Sequence, residues 1–277
     1  MSNCLICGGS LVNSRLGKGL VKCAECGFVT TNLNMSTEEL KSLYSEDYFH
    51  GEEYADYTND KDILIHNFKK RLKDILKYVK DRDALFEIGC AYGFFLTAAK
   101  DEFNSVAGID ISKDAVEYAC SSLEVRAVAG DYAQFESNDK YDCICMWDVI
   151  EHLSEPDKYI SHAYSQQKEG GIICITTGDV GSLNARLRGK NWRQIHPPTH
   201  LHYFDKTTIT KLLNKNGYAV ECIEYPTNII SVKTALYTIF CLRHDLKGVY
   251  SFFDKIGITK INIPLYLHDY MFVIARK

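Results

Sequence analysis

Four of the eleven cysteines stand in two Cys-x-x-Cys pairs, Cys4 with Cys7 and Cys23 with Cys26, each followed by a glycine, Gly8 and Gly27. Two thiolate pairs at this separation can close a tetrahedron around one zinc ion, and glycine permits the tight backbone turn beneath each pair. With zinc bound, four thiolates and one divalent cation would move the formal net charge from -4 to about -6. A four-cysteine site keeps no open coordination position, so its expected work is structural. A segment of roughly 30 residues is too small to hold a core, which favours a staple over a nucleic-acid contact or a docking surface. The other seven cysteines show no such pairing, and Cys143 and Cys145 alternate within an apolar run as small buried hydrophobes do.

A second group of residues suits nucleotide binding. Glu87-Ile88-Gly89-Cys90-Ala91-Tyr92-Gly93 ends one apolar run and opens another, with glycines where the backbone must turn sharply and approach a ligand. About twenty residues later Val106-Ala107-Gly108-Ile109-Asp110 ends in an acid, the position from which a carboxylate can accept ribose hydroxyl protons. The glycine spacing departs from G-x-G-x-x-G, which weighs against a dinucleotide. Asp148-x-x-Glu151-His152 sets carboxylate and imidazole side by side, and His196, His200 and His202 cluster after Trp192 and Arg193. Pro197 and Pro198 keep His196 and His200 off a common helix face, so His196 reads as structural. His202 reads as a surface residue, and Arg193 could meet a substrate phosphate or a surface acid.

Positioning these groups requires a sheet. From Lys61 to Lys80, Ile65, Phe68, Leu72, Ile75, Leu76 and Val79 recur at helical spacing and give one apolar face. Beyond Arg82, β-rich runs at 84–88, 105–109, 124–128, 141–146 and 171–176 alternate with helical stretches at 94–100, 113–121 and 156–166. This order specifies an α/β protein with a doubly wound parallel sheet, whose strands are near-continuously apolar because helices cover both faces. Asp205 opens a helix through Leu213, Gly217 ends it, and 218–223 and 270–275 supply two more strands.

The 277 residues, 46% hydrophobic and 25% charged with five prolines, exclude disorder and low-complexity architecture. The net charge of -4 disfavours a nucleic-acid partner. Residues 1–7 carry no export signal and the cysteine count is odd, so reduced thiols in a cytoplasm are expected. The longest late apolar run, 228–242, is broken by Lys233 and is too short to span a bilayer.

In their order, Glu87 to Gly93, Gly108-Ile109-Asp110, Gly130-Asp131-Tyr132, Tyr141 to Leu153 and Gly170-Gly171 resemble the successive motifs of class I S-adenosylmethionine-dependent methyltransferases. The resemblance covers roughly 82–220. It extends to a bacterial subgroup with an N-terminal zinc knuckle and a later Trp, Pro, His, Tyr-Phe segment, here Trp192, Pro198, His200, Tyr203 and Phe204. The fold so implied is Rossmann-like: a doubly wound seven-stranded sheet, its last strand antiparallel, with a small N-terminal zinc-binding module.

Carried across by position, the resemblance puts Gly89, Cys90 and Gly93 under the methionine and ribose of S-adenosylmethionine, Asp110 on the ribose and Ile111 beside the adenine. Asp131 would face the adenine amino group with Tyr132 next to it, and the backbone near Met146 and Trp147 would meet the ammonium. Glu87 would aid the ammonium or order the loop. His200 corresponds to the histidine of a Glu-His-Leu-x-Tyr-Phe segment in sugar carbon-methyltransferases, with Thr199 where they carry glutamate; it would be the base or a brace across the loop. Glu151 and His152 are further catalytic candidates.

The expected organisation is a zinc-ribbon-like module (1–34), a helical lid or linker (35–81), a cofactor-binding core (82–225) and a C-terminal cap with the final strand (226–277). The expected function is methylation, on oxygen or carbon, of a small polar acceptor such as a nucleotide-linked or polysaccharide sugar. An RNA methyltransferase guided by the zinc module and a noncatalytic cofactor-binding protein are the alternatives. Residues 226–267 could cap the acceptor pocket, dimerise or fill a local core.

Overall fold

The computed structural model describes residues 3–32, 60–243 and 246–277. The aromatic stretch 44–57 of the expected lid, and His244, lie outside the described residues.

Three short strands open the chain: β1 (Leu11–Asn13), β2 (Leu20–Cys23) and β3 (Val29–Thr31). Helix α1 (Lys61–Ile75) precedes the core. The helix ends at Ile75 instead of Lys80 because the chain tightens there into i to i−3 bonds, with the Tyr78 N–H donating to the Ile75 carbonyl at 2.9 Å, while Leu76 and Val79 still pack against the core. The alternation then runs β4 (Ala84–Ile88), α2 (Phe94–Ala99), β5 (Ser105–Asp110), α3 (Lys113–Leu123), β6 (Arg126–Ala129), β7 (Tyr141–Trp147), α4 (Pro156–Gln166) and β8 (Gln167–Gly178). β6 starts two residues later than its β-rich run, because Glu124 adopts the left-handed conformation (φ 55°) that ends α3. Next come α5 (Leu183–Arg188), β9 (His202–Tyr203), α6 (Lys206–Lys215) and β10 (Ala219–Glu224). Asp205 caps α6 as expected: its carboxylate accepts from the Thr208 N–H at 2.8 Å, and its own N–H donates to the Thr208 hydroxyl at 2.8 Å. An excursion of β11 (Asn228–Ser231), α7 (Val232–Tyr237), α8 (Lys247–Lys255) and β12 (Asn262–Leu265) precedes the final strand β13 (Tyr270–Arg276).

The main sheet has seven strands in the order β10-β13-β8-β7-β4-β5-β6. β4 through β8 pair in parallel, and β13 inserts antiparallel between β8 and β10. This is the Rossmann-like sheet expected above. Its core lies on both faces because side chains alternate along each strand. Ile144 and Met146 of β7 pack with Phe86 and Ile173 on one side. Cys143, Cys145 and Trp147 pack with Leu85, Phe95 and Ile172 on the other. Each such large side chain, fully removed from water, contributes about 1.5–3 kcal/mol. Cys143 and Cys145 are wholly buried, but they are not isolated: the Cys143 sulfur lies 3.6 Å from that of Cys145 and 4.0 Å from that of Cys174.

The N-terminal strands share a second, antiparallel sheet of order β1-β2-β3-β9 with a segment that follows the main α/β alternation. Val29 pairs with Tyr203 and Thr30 with His202. The Thr31 N–H donates to the Leu201 carbonyl at 2.8 Å, and the Lys18 ammonium donates to the Ile195 carbonyl at 2.7 Å. The cysteine-bearing segment therefore grips the histidine loop directly. This corrects the placement of His202: it is 4% exposed, contacts the Thr30 hydroxyl at 2.9 Å through Nδ1 and lies against Phe28, so its role is internal. Its expected surface position assumed one free face of an extended segment, and the N-terminal sheet covers that face.

Candidate active site

The carboxyl ends of β4, β5 and β7 open into a cavity of about 420 Å³, where the strand order reverses on either side of β4. That is where ligands sit in open α/β sheets, and the volume suits a small molecule. Gly89, Cys90, Asp110, Ile111, Asp131, Tyr132, Trp147 and Glu87 all line it. Gly89 has φ 73°, and a Cβ there would come within 2.3 Å of Val149 Cγ2, so any side chain would both strain the turn and collide.

Asp110 is buried at the tip of β5, and its carboxylate ties two segments together. One oxygen accepts from the Ala91 N–H at 2.7 Å and the other from the Ser112 N–H at 2.9 Å. Burial raises its pKa above the ordinary aspartate value against the pull of these N–H groups. Each oxygen keeps a second lone pair for a hydroxyl donor. Asp131 accepts from the Ala133 N–H at 3.0 Å and from the Tyr159 hydroxyl.

Three of the expected cofactor residues are placed differently from the rest. Gly93 does not line the cavity; it caps α2 with φ 73°, where a Cβ would meet Val125 and Ala119. The Met146 side chain is wholly buried on the far face of the sheet, because it alternates with Trp147 along β7. Tyr132 contributes to the wall, while its hydroxyl turns into the core and donates to Gln166 Oε1 at 2.8 Å.

Two buried charged groups at the cavity are incompletely satisfied. Glu87 is 2% exposed and its Oε2 has no hydrogen-bond partner; burial first, then the nearby Asp110 charge, drives its pKa well above the usual carboxylate range. Arg71 of α1, which the sequence reading missed, is 7% exposed and its Nε has no partner. Its guanidinium lies over Trp147, 4.9 Å from the ring centroid, and over Phe68 at 5.6 Å. Among the described residues its side-chain hydrogen bond is long, 3.4 Å to Asn228 Oδ1. A buried carboxylate and a buried guanidinium, each with an unused polar atom, suit the ammonium and carboxylate of an α-amino acid. The signal for Arg71 was its spacing: it stands three residues after Phe68 and four before Ile75, on the apolar face of α1.

A second cavity of about 300 Å³ shares Asp148, His152, Asn228, Ile230 and Tyr270 with the first. Asp148 has a left-handed backbone (φ 55°), and its carboxylate accepts from the Tyr270 hydroxyl. Glu151, His196 and His200 line this second space. The His200 ring is 4.5 Å from that of His152 and 3.8 Å from that of His196. Although no helix carries His196 and His200, as the two prolines require, the loop still folds them together.

The histidine tautomers follow from their partners. His200 Nδ1 lies 3.0 Å from the Gln194 carbonyl, and His152 Nδ1 lies 2.8 Å from the Thr199 carbonyl. A carbonyl only accepts, so in both rings Nδ1 carries the proton and the neutral ring has its lone pair on Nε2. Backbone carbonyls thus orient both rings. Burial, and then the neighbouring imidazoles, push the His200 pKa far below its ordinary value, and burial lowers His152 to about 4. Glu151 is 3% exposed, and a ligand atom from each of Glu151, His152 and His200 lies within 4.8 Å of the others. Arg193 meets neither a surface acid nor open solvent alone: it donates at 3.0 Å to Asp269, a wholly buried acid that also accepts from Trp192 Nε1 at 2.8 Å.

Residues 61–223 match the family described as "Methyltransferase domain". The chain belongs to this family. Its methyltransferase domain is 30% identical over 123 residues to the ubiquinone biosynthesis O-methyltransferase of Pelagibacter ubique, a match covering 42% of this chain and 50% of that protein. A probable (S)-tetrahydroprotoberberine N-methyltransferase of Papaver bracteatum is 25% identical over 105 residues, covering 35% of this chain and 29% of that one. The chain thus spans half or less of the length of these two relatives. A solved S-adenosylmethionine-dependent methyltransferase from Archaeoglobus fulgidus superposes with a TM-score of 0.53 at 21% identity, covering 85% of this chain and 99% of that one. The shared fold accounts for the sheet; the N-terminal module and both cavities are described by this chain's own residues.

The N-terminal cysteines also converge. The Cys4 and Cys26 sulfurs are 3.6 Å apart, those of Cys7 and Cys23 are 3.5 Å apart, and all four lie within 4.8 Å of one another. Four sulfurs so gathered fit a tetrahedral ion with bonds of about 2.3 Å.

Proposed function

We propose that this protein transfers a methyl group from S-adenosylmethionine to oxygen or carbon of a small polar acceptor such as a nucleotide-linked or polysaccharide sugar. The observation that carries this reading is the pair of contiguous cavities, one with a carboxylate oxygen of Glu87 and a guanidinium nitrogen of Arg71 left without hydrogen-bond partners beside a strand-end Asp110, the other lined by polar side chains. Asp110 would hold the ribose hydroxyls, Ile111 and Asp131 the adenine, and Glu87 and Arg71 the amino-acid end. When bound, S-adenosylmethionine supplies a methyl group on a sulfonium whose positive charge is lost in transfer.

The chain's own residues must align the acceptor and move one proton. Alignment at about 3–3.5 Å can account for much of the acceleration, and a base can add about 10²–10⁴-fold. In this reading His200 takes the acceptor proton on Nε2. Burial and the Asp148 charge hold the Glu151 carboxyl well above the usual carboxylate range, so Glu151 would stand beside His200 as a neutral hydrogen-bonding group. His152 and Asp148, on the shared wall, would orient the acceptor oxygen or carbon. The four N-terminal cysteines would hold one zinc ion as a staple that fixes the histidine loop through β3 and β9.

The direct test is incubation with labelled donor and fractionated cell extract, followed by mass analysis of whichever molecule gains label. A labelled sugar or nucleotide sugar supports the reading; label on RNA would replace it. His200→Ala should lower turnover at least a hundredfold, and an unchanged rate would reject His200 as the base.

A further inference from the structure

We propose that the excursion 226–267 is a docking surface for an anionic lipid bilayer, with α8 lying in the interface. Charge and apolar exposure both concentrate there. Residues 226–267 carry five Lys and Arg (Lys233, Arg243, Lys247, Lys255 and Lys260) against Asp245 and Asp254, a net of +3 in a chain whose total is -4. The same stretch holds most of the exposed large apolar side chains among the described residues.

Helix α8 shows how the two are arranged. Tyr250 and Phe253 turn inward, where Tyr250 meets Tyr237 at 5.5 Å between centroids and Phe253 stacks with Phe240 at 5.7 Å. Leu246, Val249, Phe252 and Ile256 fall at helical spacing on the other side and are all exposed, Phe252 at 59% and Ile256 at 54%. An outward apolar stripe is the reverse of what a helix covering a soluble core presents. Lys247 and Lys255 stand at the two ends of the helix, and Lys260 and Ile261, half exposed, extend the surface. Apolar anchors with lysines beside them match the interface of an anionic membrane.

Charge also decides between occupants. A second copy related by a two-fold axis would set each +3 patch against its twin, cation against cation, whereas an anionic bilayer complements it. Among the described residues no helix is long and apolar enough to cross a membrane, so the attachment is peripheral. The inner side of the excursion, Asn228, Ile230, Leu265 and Leu267, lines the second cavity, so docking would bring the acceptor site close to the lipid surface.

The test is flotation of the full chain with vesicles of phosphatidylcholine alone and with phosphatidylglycerol added. The expected result is binding to the anionic vesicles only, lost in high salt. Phe252→Glu and the pair Lys247→Glu, Lys255→Glu should each lower partitioning roughly tenfold or more, while S-adenosylhomocysteine affinity, measured by calorimetry, stays at the wild-type value. No binding to anionic vesicles, or equal binding to neutral ones, overturns the proposal. So does a concentration-dependent dimer in sedimentation that Phe252→Glu dissolves without any vesicle binding. Because neither substitution touches a cavity, failure here leaves the methyl-transfer reading standing.

Discussion

The two cavities are built in opposite ways. The first cavity, the proposed donor site, comes mostly from the ends of adjacent parallel strands: β4 delivers Gly89, β5 delivers Asp110 and β7 delivers Trp147. The second cavity, the proposed acceptor site, is assembled from segments far apart in the chain, 148–152, 193–200, 226–230 and 265–270. One is fixed by the sheet that nearly every buried residue supports; the other depends on loops held by each other and by the N-terminal module. Damage to the module should therefore separate the two.

The largest expected effect is that of Cys23→Ser, which removes one of the four gathered sulfurs. Loss of the staple would release β3 from β9 and with it the histidine loop. Methyl transfer should become undetectable while S-adenosylhomocysteine affinity, by calorimetry, changes no more than about threefold. Loss of both together would show that the cavities are not independent.

Arg71→Leu sharpens the donor side. Hydrogen bonds to charged groups contribute about 1.5–3 kcal/mol, so affinity for S-adenosylhomocysteine should fall at least tenfold. Methylthioadenosine, which lacks the amino-acid end, should bind the variant as it binds the wild type. An equal loss for both ligands would assign Arg71 a packing role against Trp147 instead.

His202 probes the junction between the regions. Burial lowers its pKa to about 4, against an ordinary value near 6.5. The unfolded chain thus binds more protons between these values, so the neutral ring's contribution to stability is complete above pH 6.5 and is lost as pH falls towards 4. At about 1.4 kcal/mol per pH unit, this can reach a few kcal/mol. Urea midpoints should drop over that window, and His202→Phe should make the drop shallower by one histidine's share while His152 and His200 keep theirs; an unchanged slope in the variant would contradict the assignment.

The smallest expected effect is that of Thr30→Val, which removes the hydroxyl that meets His202 Nδ1 and the Leu201 carbonyl. About 1–3 kcal/mol of stability should be lost, with cofactor affinity unchanged.

The sequence was legible where function is written locally. Gly89 and Asp110 end consecutive strands, so their types and spacing announce the donor cavity, and the seven-stranded sheet follows from the alternation around them. The Met146 side chain turns into the core because it alternates with Trp147 along β7, and Gly93 serves the turn into α2, neither of which motif position reveals. Arg71 was hidden on an otherwise apolar helix face. The internal place of His202 could not be read at all, since it depends on β3 reaching across some 170 residues of chain. The histidine cluster was visible as composition, but its orientation by the Gln194 and Thr199 carbonyls is a property of the folded loop.

The central claim is that the crevice at Gly89 and Asp110 holds an adenosyl sulfonium. Calorimetric titration of the full chain with S-adenosylmethionine, alongside Asp110→Ala, tests it most directly. The expected result is one site per chain with affinity weakened at least tenfold in the variant, as loss of a charged hydrogen-bond acceptor requires. No heat of binding in the wild type, or equal affinity in Asp110→Ala, would contradict it.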